Sequence, residues 1–386
     1  MAIRTRPSGG STPPPGADWP ALADPAALAA ALERWFPMSS RSLPWRAERS
    51  GYRALVSELM LQQTQVSRVV DAFDRFVARF PSPSALASAP EGEVLAAWQG
   101  LGYYRRARLL HAAAQAIRDR HGGEVPRTEP ELRALPGVGR YTAGAIASIA
   151  FGERVPIVDG NVLRVLARVA AAPARVADPA SERWAWNEAA RLVAAAASPA
   201  VLNEALMELG ATVCTPAAPR CGSCPVARGC AARRDGCQTR IPAPRIAAPR
   251  RIERWTSLVW AEGGAVALER RPDRGMWAGM HQPPTVDAAE PPVAGRASAW
   301  PFPVREAGAF THVTTHRTIE FSVVVPDGPR TAVPQPGWLL APLDRLESFA
   351  LSNAAWRTLE VAGLEVRRPP AAAAGRRGPR RAATGS

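Results

Sequence analysis

Residues 214–230 read CTPAAPRCGSCPVARGC, and this stretch constrains the fold more than any other. It places Cys214, Cys221, Cys224 and Cys230 at C-x6-C-x2-C-x5-C spacing and uses four of the five cysteines in the chain. Thiolate sets of this kind bind zinc or iron–sulfur clusters. Zinc sites usually pair two short C-x2–4-C turns, and only Cys221 and Cys224 form one here. We therefore expect one 4Fe-4S cluster, with zinc as the alternative.

A pair of disulfides is the other way to use these four cysteines. We do not favour it, because no secretory-signal pattern precedes this region. Cys237 falls outside the spacing, and we expect it to be a free thiol.

The composition narrows the choice of partner. The 386 residues have a formal net charge of +14, which indicates a polyanion, although several arginines crowd the C-terminus. All 48 basic residues are arginine, so no lysine side chain exists to form a Schiff base. No apolar run of about 18 residues lacks charge, so we predict neither a transmembrane helix nor a membrane partner.

The pattern of apolar residues divides the chain into segments. Apolar spacings of three and four, as in Val69, Phe73 and Phe76, predict short helices, whereas alternation in TIEFSVVV (318–325) predicts strands. A further helix is predicted near Asn353–Val361. The predicted segments are a disordered tail (1–25), a helical domain (26–213), the cysteine loop (214–236), a Pro-rich linker (237–251), a smaller α/β domain (252–365) and a basic disordered tail (366–386).

One candidate DNA contact is a glycine hairpin, Leu135-Pro-Gly-Val-Gly139, which precedes the predicted helix Arg140–Phe151. Its glycines permit close approach of the backbone to a ligand, and the N–H groups of the helix N-terminus suit a phosphate. Gly137, Val138 and Gly139 are therefore candidate DNA-binding residues. An ordinary glycine turn is the alternative.

Two carboxylates have candidate chemical roles. Glu58, in SELMLQQTQV (57–66), lies beside apolar helix positions, where loss of solvent favours a neutral carboxyl suited to a general acid. The alternative for Glu58 is a partly exposed helix carboxylate. Asp159, in VDGN (158–161), directly precedes a predicted helix. The alternative for Asp159 is a purely structural role as the N-cap of that helix.

Together these motifs resemble the helix-hairpin-helix DNA glycosylases with an iron–sulfur loop, over roughly residues 28–235. That family includes endonuclease III-type enzymes and adenine DNA glycosylases of the MutY type. The endonuclease III pattern has a lysine in GVGRK, whereas residues 137–141 read GVGRY. The segment containing Glu58 is similar to the adenine glycosylase signature, whose glutamate is catalytic. The resemblance thus implies an all-α helix-hairpin-helix domain and a MutY-type activity.

The second domain is similar to the Nudix-like domain with which the MutY type recognises 8-oxoguanine. Residues 274–280 (RGMWAGM), followed by Pro283, resemble its GLWGG…P turn. The acid-rich Nudix box is absent, so nucleotide hydrolysis is not expected.

The recognition loop of that domain reads H-x-F-S-H in the family. His312-Val-Thr-Thr-His316 matches it with Thr315 in place of serine and Thr314 in place of phenylalanine. A second register, Phe310-Thr311-His312, is also possible. In the first register, His312, Thr315 and His316 are the implied lesion-recognition residues.

The resemblance implies hydrolysis of adenine mispaired with 8-oxoguanine, or with guanine, in double-stranded DNA, the first step of base excision repair. Glu58 would protonate the flipped adenine, Asp159 would stabilise the sugar cation, and Tyr141 and Asn161 would position these carboxylates. The remaining implied substrate or DNA contacts are Trp45, Arg46, Leu61, Gln63, Tyr103 and Glu204. Trp45 has a core position as its alternative, and Glu204 a helix-surface position.

Three neighbouring arginines, Arg105, Arg106 and Arg108, predict a phosphate-facing surface next to Tyr103. We expect a monomeric cytoplasmic protein associated with the nucleoid, without lysine-dependent lyase activity. The alternatives are an endonuclease III-like glycosylase for oxidised pyrimidines and a non-catalytic iron–sulfur DNA-binding protein. A binding protein would need neither Glu58 nor Asp159.

Overall fold

The computed structural model describes residues 19–244, 249–287, 300–327 and 337–368. Most of the two predicted tails, 1–18 and 369–386, lies outside the described residues, as does part of the predicted linker. None of the described helices is long and apolar enough to span a bilayer.

Two compact units alternate along the sequence. The first unit comprises the described parts of 1–42, 127–132 and 139–246, and the second those of 43–126, 133–138 and 247–386.

Helices make up most of the first two thirds of the chain. The described α-helices are α1 (Pro25–Ser39), α2 (Pro44–Ala47), α3 (Gly51–Leu61), α4 (Val66–Arg79), α5 (Pro83–Ser88), α6 (Glu91–Ala97), α7 (Arg105–His121), α8 (Glu129–Arg133), α9 (Arg140–Phe151), α10 (Gly160–Ala170), α11 (Pro179–Ala195), α12 (Pro199–Thr212), α13 (Ala231–Arg234) and α14 (Asn353–Val361). Short 3-10 helices occur at Cys221–Ser223, Ala227–Gly229 and Leu343–Ser348.

Strands begin at Arg251. They are β1 (Arg251–Leu258), β2 (Ala261–Glu262), β3 (Ala265–Arg270), β4 (His281–Gln282), β5 (Thr285–Asp287), β6 (Val304–Val313), β7 (Arg317–Pro326) and β8 (Trp338–Pro342).

In the first unit, side-chain caps define where the helices start. Asp24, Asp159, Asp178 and Ser198 each accept a hydrogen bond from a backbone N–H in the first turn of α1, α10, α11 and α12. These helices bury one apolar core, which includes Leu32, Leu166, Leu192, Leu202 and Leu206. The core fixes α10, which carries Asp159 at its N-terminus.

The helical part of the second unit is formed by α2–α7. On α4, Val69, Phe73 and Phe76 are fully buried, as the predicted helical spacing requires. The ring of Phe76 packs edge-on against Phe80 and Trp98, with centroids 5.0 and 5.8 Å apart. The predicted α-helical character of this region is confirmed.

The strands of the second unit form two four-stranded sheets. One has the order β5-β1-β7-β6, in which β1 and β7 are parallel and the other pairs antiparallel. The other has the order β2-β3-β4, with β8 also paired to β3. The helix predicted near Asn353–Val361 is α14, which packs on β6 and β7. The predicted fold class, an all-α region with a smaller α/β region, is confirmed.

Within the second unit, side chains near α6 and α7 bind the backbone of the strand region. Tyr104 Oη donates to Leu351 O at 3.3 Å, across 247 positions of sequence. Gln99 Nε2 donates to Phe349 O at 2.5 Å, and Arg108 donates to Ala278 O.

Candidate functional site

The four cysteines of the loop line one cavity in the first unit. The turns at Cys221–Ser223 and Ala227–Gly229 fold the chain back, so that sulfurs up to 16 positions apart share this cavity. The same cavity is lined by Arg168, Arg220, Arg233 and Gln238. All described cysteines, Cys237 included, are free thiols, so none of them forms a disulfide.

The environment of the four sulfurs is partly buried and rich in arginine. Burial raises the pKa of the Cys224 thiol to about 11 and also raises the pKa of Cys230. Arg168 is 2% exposed, and its Nη1 donates to Cys214 Sγ at 3.3 Å. The Cys230 thiol donates to Arg168 O, also at 3.3 Å.

This donor set can be tested against the expected cofactor. Among the described residues, no three or more His, Cys, Asp or Glu side chains are grouped so that they could hold a metal ion. Four soft sulfur donors around a shared cavity, with a guanidinium against one of them, fit an anionic iron–sulfur cluster.

Asp159 is half-buried at the start of α10 and makes one hydrogen bond with each oxygen. Its Oδ1 accepts from Val162 N at 2.7 Å, and its Oδ2 accepts from Asn161 Nδ2 at 2.9 Å. The first bond is the N-cap that sequence reasoning offered as the alternative. The second bond holds the carboxylate in one orientation, which capping alone does not require.

The hydrogen bonds continue from Asn161 to the cysteine loop. Asn161 Oδ1 accepts from Arg164 Nη2 at 2.7 Å. Arg164 also donates to Gly210 O at 2.9 Å and to Cys214 O at 2.8 Å. A continuous chain of hydrogen bonds therefore connects the Asp159 carboxylate with the backbone of the first cysteine.

Gly210 allows α12 to approach α10 closely. A Cβ at this position would lie 2.6 Å from the Cβ of Asn161, so only glycine fits without movement.

Sequence reasoning did not identify Gly210, Arg164 or Arg168. The available signal was the spacing of Asn161, Arg164 and Arg168, which places them on one face of α10.

Two other residues predicted for the site, Tyr141 and Glu204, lie in the first unit and are at least half-buried. The half-buried Tyr141 donates its hydroxyl to Met207 Sδ at 3.1 Å. Glu204 on α12 is 2% exposed, so its alternative as a helix-surface charge is wrong.

The glycine hairpin forms a tight turn, which both the predicted hairpin and its alternative, an ordinary glycine turn, require. Gly137 has φ +77°, and a Cβ there would lie 2.6 Å from Leu109 Cβ. Val138 is buried, and its N–H donates to Leu135 O at 3.2 Å. Gly139 is the residue directly before α9, whose first turn has no side-chain cap.

Glu58 lies on α3 in the second unit and is 9% exposed. Its predicted burial is confirmed, and the alternative of a partly exposed helix carboxylate is wrong. Arg46 and Trp45 lie half-buried on α2. The ring of Trp45 packs edge-on against Phe73 at 5.5 Å, as its alternative role in the core predicts.

A second cavity, of about 870 Å³, lies in the second unit. It brings Gln63 and Tyr103 together with His312, Thr315 and His316. The hydroxyls of Tyr103 and Thr315 are hydrogen-bonded to each other across 212 positions of sequence. Leu61 lies half-buried at the end of α3. The structure thus brings most of the predicted lesion-reading residues to one cavity.

Backbone strain is concentrated at this cavity. Three of the five described non-glycine residues with positive φ line it: Gln63 (φ 55°), Tyr103 (φ 48°) and Trp277 (φ 53°). Such conformations are costly and cluster at functional sites. Sequence reasoning did not identify Trp277 as a cavity residue, and its ring packs edge-on against His312 at 5.4 Å.

Thr314, in the loop between β6 and β7, occupies the position that is phenylalanine in the family pattern. Thr314 Oγ1 accepts from Arg317 N at 3.0 Å and donates to Arg317 O at 3.1 Å, so it closes the turn. In the second register, Phe310 is 7% exposed and stacks on Phe321 with centroids 4.7 Å apart. Phe310 therefore serves the core of the strand region.

Arg106 corrects the prediction that Arg105, Arg106 and Arg108 form a phosphate-facing surface. Arg106 is 7% exposed, and burial lowers its pKa to about 10. Its guanidinium donates to the oxygens of Leu59, Met60, Thr64, Leu101 and Gly102 at distances of 2.7–3.2 Å. Buried carbonyls need donors, and this one side chain supplies them at the end of α3 and before α7.

Comparison with known proteins gives two domain matches. The model for the HhH-GPD superfamily of base excision DNA repair proteins matches residues 56–189, and the model for the NUDIX domain matches residues 256–361. Among solved structures, one titled as a thermostable thymine-DNA glycosylase aligns with a TM-score of 0.49 at 25% identity, covering 55% of this chain and 97% of that chain.

Curated relatives narrow the family. A protein of Mycolicibacterium smegmatis named adenine DNA glycosylase is 45% identical over 225 residues, which cover 58% of this chain and 73% of the relative. The mouse protein of the same name is 47% identical over 220 residues, 55% of this chain and 42% of the relative. The chain thus spans less than half the length of its mouse relative. It belongs to the HhH-GPD superfamily and, within it, to the adenine DNA glycosylase family.

Proposed function

We propose that this protein is a monofunctional DNA glycosylase that hydrolyses the N-glycosidic bond of adenine mispaired with 8-oxoguanine, or with guanine, in duplex DNA. The observation that carries the proposal is the buried carboxyl of Glu58, in a segment similar to the adenine glycosylase signature. A binding protein has no use for a buried acid there. An endonuclease III-like enzyme would need the lysine that this sequence lacks.

In the proposed reaction the adenine leaves the base stack before chemistry begins, because its glycosidic bond is inaccessible inside the duplex. Glu58 gives its proton to adenine N7. The bond from the sugar to N9 breaks, and its electron pair leaves with the base. Asp159 stabilises the resulting sugar cation, and water adds to that cation and releases a proton. The products are free adenine and an abasic site, as expected when one carboxyl acts as acid and another as anion.

The surrounding residues have supporting roles in the proposal. Asn161, which donates to Asp159 Oδ2, and Tyr141 position the catalytic groups. Trp45, Arg46 and Glu204 contact the flipped adenine. Gly137, Val138 and Gly139 bind backbone phosphate through the uncapped start of α9.

Discrimination of the opposite base is proposed for the cavity of the second unit. Leu61, Gln63 and Tyr103 probe the duplex, and His312, Thr315 and His316 read the 8-oxoguanine. The concentration of strained residues at this cavity supports the assignment.

The proposed cofactor is one 4Fe-4S cluster on Cys214, Cys221, Cys224 and Cys230. Because the reaction involves no electron transfer, the cluster stabilises the loop structurally. The proposed partner is double-stranded DNA carrying the mispair. We further propose a monomer that acts on the nucleoid in the cytoplasm.

The test is strand cleavage of labelled duplexes with adenine opposite 8-oxoguanine, with and without hot alkali. Product that appears only after alkali supports monofunctional excision. The Glu58→Gln variant should lose about 10²- to 10⁴-fold in excision rate and still bind the duplex. Glu48→Gln is the matched control, since the Glu48 side chain is 74% exposed.

The other outcomes separate the alternatives. Product without alkali would favour an endonuclease III-like lyase that uses another amine. Absence of product with cluster-loaded protein, together with intact DNA binding, would favour the non-catalytic DNA-binding protein. Full activity of Glu58→Gln would remove Glu58 from the mechanism.

A further inference from the structure

We propose that Arg168 and Gln238 donate hydrogen bonds to sulfur atoms of the iron–sulfur cluster, and that these bonds set its reduction potential and its retention. The inference rests on the proposed cofactor. Both side chains line the cavity formed by the four cysteines, and neither belongs to the ligand set.

The guanidinium of Arg168 is fixed before any cluster binds. Its Nε donates to Ile241 O at 2.8 Å, its Nη2 to Pro216 O at 2.9 Å, and its Nη1 to Thr215 O at 2.7 Å. Two of these carbonyls lie inside the cysteine loop and the third follows it, so the planar group cannot rotate freely. The position of Nη1, 3.3 Å from Cys214 Sγ, is therefore imposed by the fold.

Gln238 follows the cysteine loop in the sequence, whereas Arg168 precedes it. Its Oε1 is buried and has no hydrogen-bond partner within the described part of the chain. An unmatched buried oxygen is unfavourable, and Gln238 lines the same cavity as the four cysteines. A half-turn of the amide exchanges its oxygen and nitrogen, whose positions are assigned only from hydrogen bonding. With Nε2 toward the cavity, the amide becomes a donor to sulfur.

Both donors should act on the cluster in the same direction. Hydrogen bonds to the sulfurs stabilise the more negative, reduced state and therefore raise the reduction potential. Groups that contact metal ligands also hold them in place, so their loss weakens metal retention. Arg168 carries a charge and should have the larger effect. The Gln238 side chain makes no hydrogen bond within the described part of the chain, so it is the cleaner site for a substitution.

The experiment compares wild type, Gln238→Leu and Arg168→Lys, with Gln115→Leu on α7 as the control for loss of a glutamine. Protein reconstituted without oxygen is assayed for iron and sulfide, and the potential of its cluster is measured by voltammetry. The decay of its visible absorbance is then followed in air. Gln238→Leu should shift the potential downward and lose its cluster about tenfold faster, while Gln115→Leu matches wild type. Because Arg168→Lys can also disturb folding, Gln238→Leu is the deciding variant.

The outcomes distinguish this inference from the proposed function. Wild-type protein without iron and sulfide after reconstitution would overturn the proposed cofactor itself. A wild-type cluster with an unchanged potential and decay in Gln238→Leu would overturn only the role of Gln238. Equal shifts in Gln238→Leu and Gln115→Leu would also overturn it, because they would show a general effect of losing an amide.

Discussion

The region from Asp159 to Cys230 and the cavity of the second unit are held together in different ways. In the first region, buried arginines of α10 bind carbonyls and side chains through several short hydrogen bonds each. In the second, an exposed pair of hydroxyls, Tyr103 and Thr315, spans the cavity, and strained backbone surrounds it. The difference indicates that Asp159 is oriented in advance by a buried network, whereas Tyr103 and Thr315 are joined through one exposed contact.

Among the substitutions that test this comparison, Asp159→Asn should produce the largest effect, because it changes the first region directly. Asparagine can keep the helix cap, but its NH2 group cannot accept from Asn161 Nδ2, so the free energy of unfolding should fall by about 1 kcal/mol. The negative charge for the sugar cation is lost, so the excision rate should fall about 10²- to 10³-fold. Single-turnover excision and thermal unfolding would be measured on the same samples.

Asp178→Asn is the matched control, because Asp178 caps α11 in the same way, with Ser181 N 2.8 Å away. It should leave the excision rate unchanged. If Asp159→Asn lost stability but kept its excision rate, Asp159 would be a structural cap only.

Arg106→Met should have the next largest effect. It would show whether buried arginine hydrogen bonds also stabilise the second unit. The substitution leaves several buried carbonyls without a donor and should destabilise the protein by about 3 kcal/mol. The urea midpoint would be compared with that of Arg105→Met, which removes an exposed neighbour. Equal midpoints for the two variants would contradict the structural role of Arg106.

Gly210→Ala tests the close approach of α12 to α10. The new Cβ would lie 2.6 Å from Asn161 Cβ, and overpacking of this kind should cost about 1–3 kcal/mol. Because Asn161 must move, the excision rate should fall along with stability. Gly92→Ala, on α6 with open space around it, should leave both quantities unchanged. If Gly210→Ala kept the wild-type excision rate, the position of Asn161 would have no influence on the reaction.

The pair Tyr103 and Thr315 should give the smallest effect. A double-mutant cycle of Tyr103→Phe and Thr315→Val should show a coupling of about 0.5–1.5 kcal/mol in stability, the value of one hydrogen bond. A cycle of Tyr103→Phe with Thr314→Val should be additive, since the Thr314 hydroxyl bonds to Arg317 in its own turn. Zero coupling in the first cycle would mean that the hydroxyl contact contributes nothing to the free protein.

The sequence predicted those features that depend on neighbours in the chain. The cysteine spacing led to one cavity lined by all four thiols, and the apolar pattern around Glu58 led to its burial. The helices and the strand β7 followed from their periodicity.

The buried arginines could not be predicted in the same way. An arginine is usually exposed, and its burial depends on carbonyls that other segments supply. For Arg106 these carbonyls come from Leu59 and Leu101. The role of Thr314 was equally hidden, because the turn that it closes is defined only when β6 and β7 pair.

The bond from Tyr104 to Leu351 O has a consequence for synthesis on the ribosome. The two residues are 247 positions apart, and translation adds about 5–20 residues per second. The helices α3–α7 therefore emerge roughly 12–50 s before the strand region to which they bind. During that interval the aromatic packing of Phe76, Phe80 and Trp98 and the hydrogen bonds from Arg106 to the end of α3 must keep these helices together.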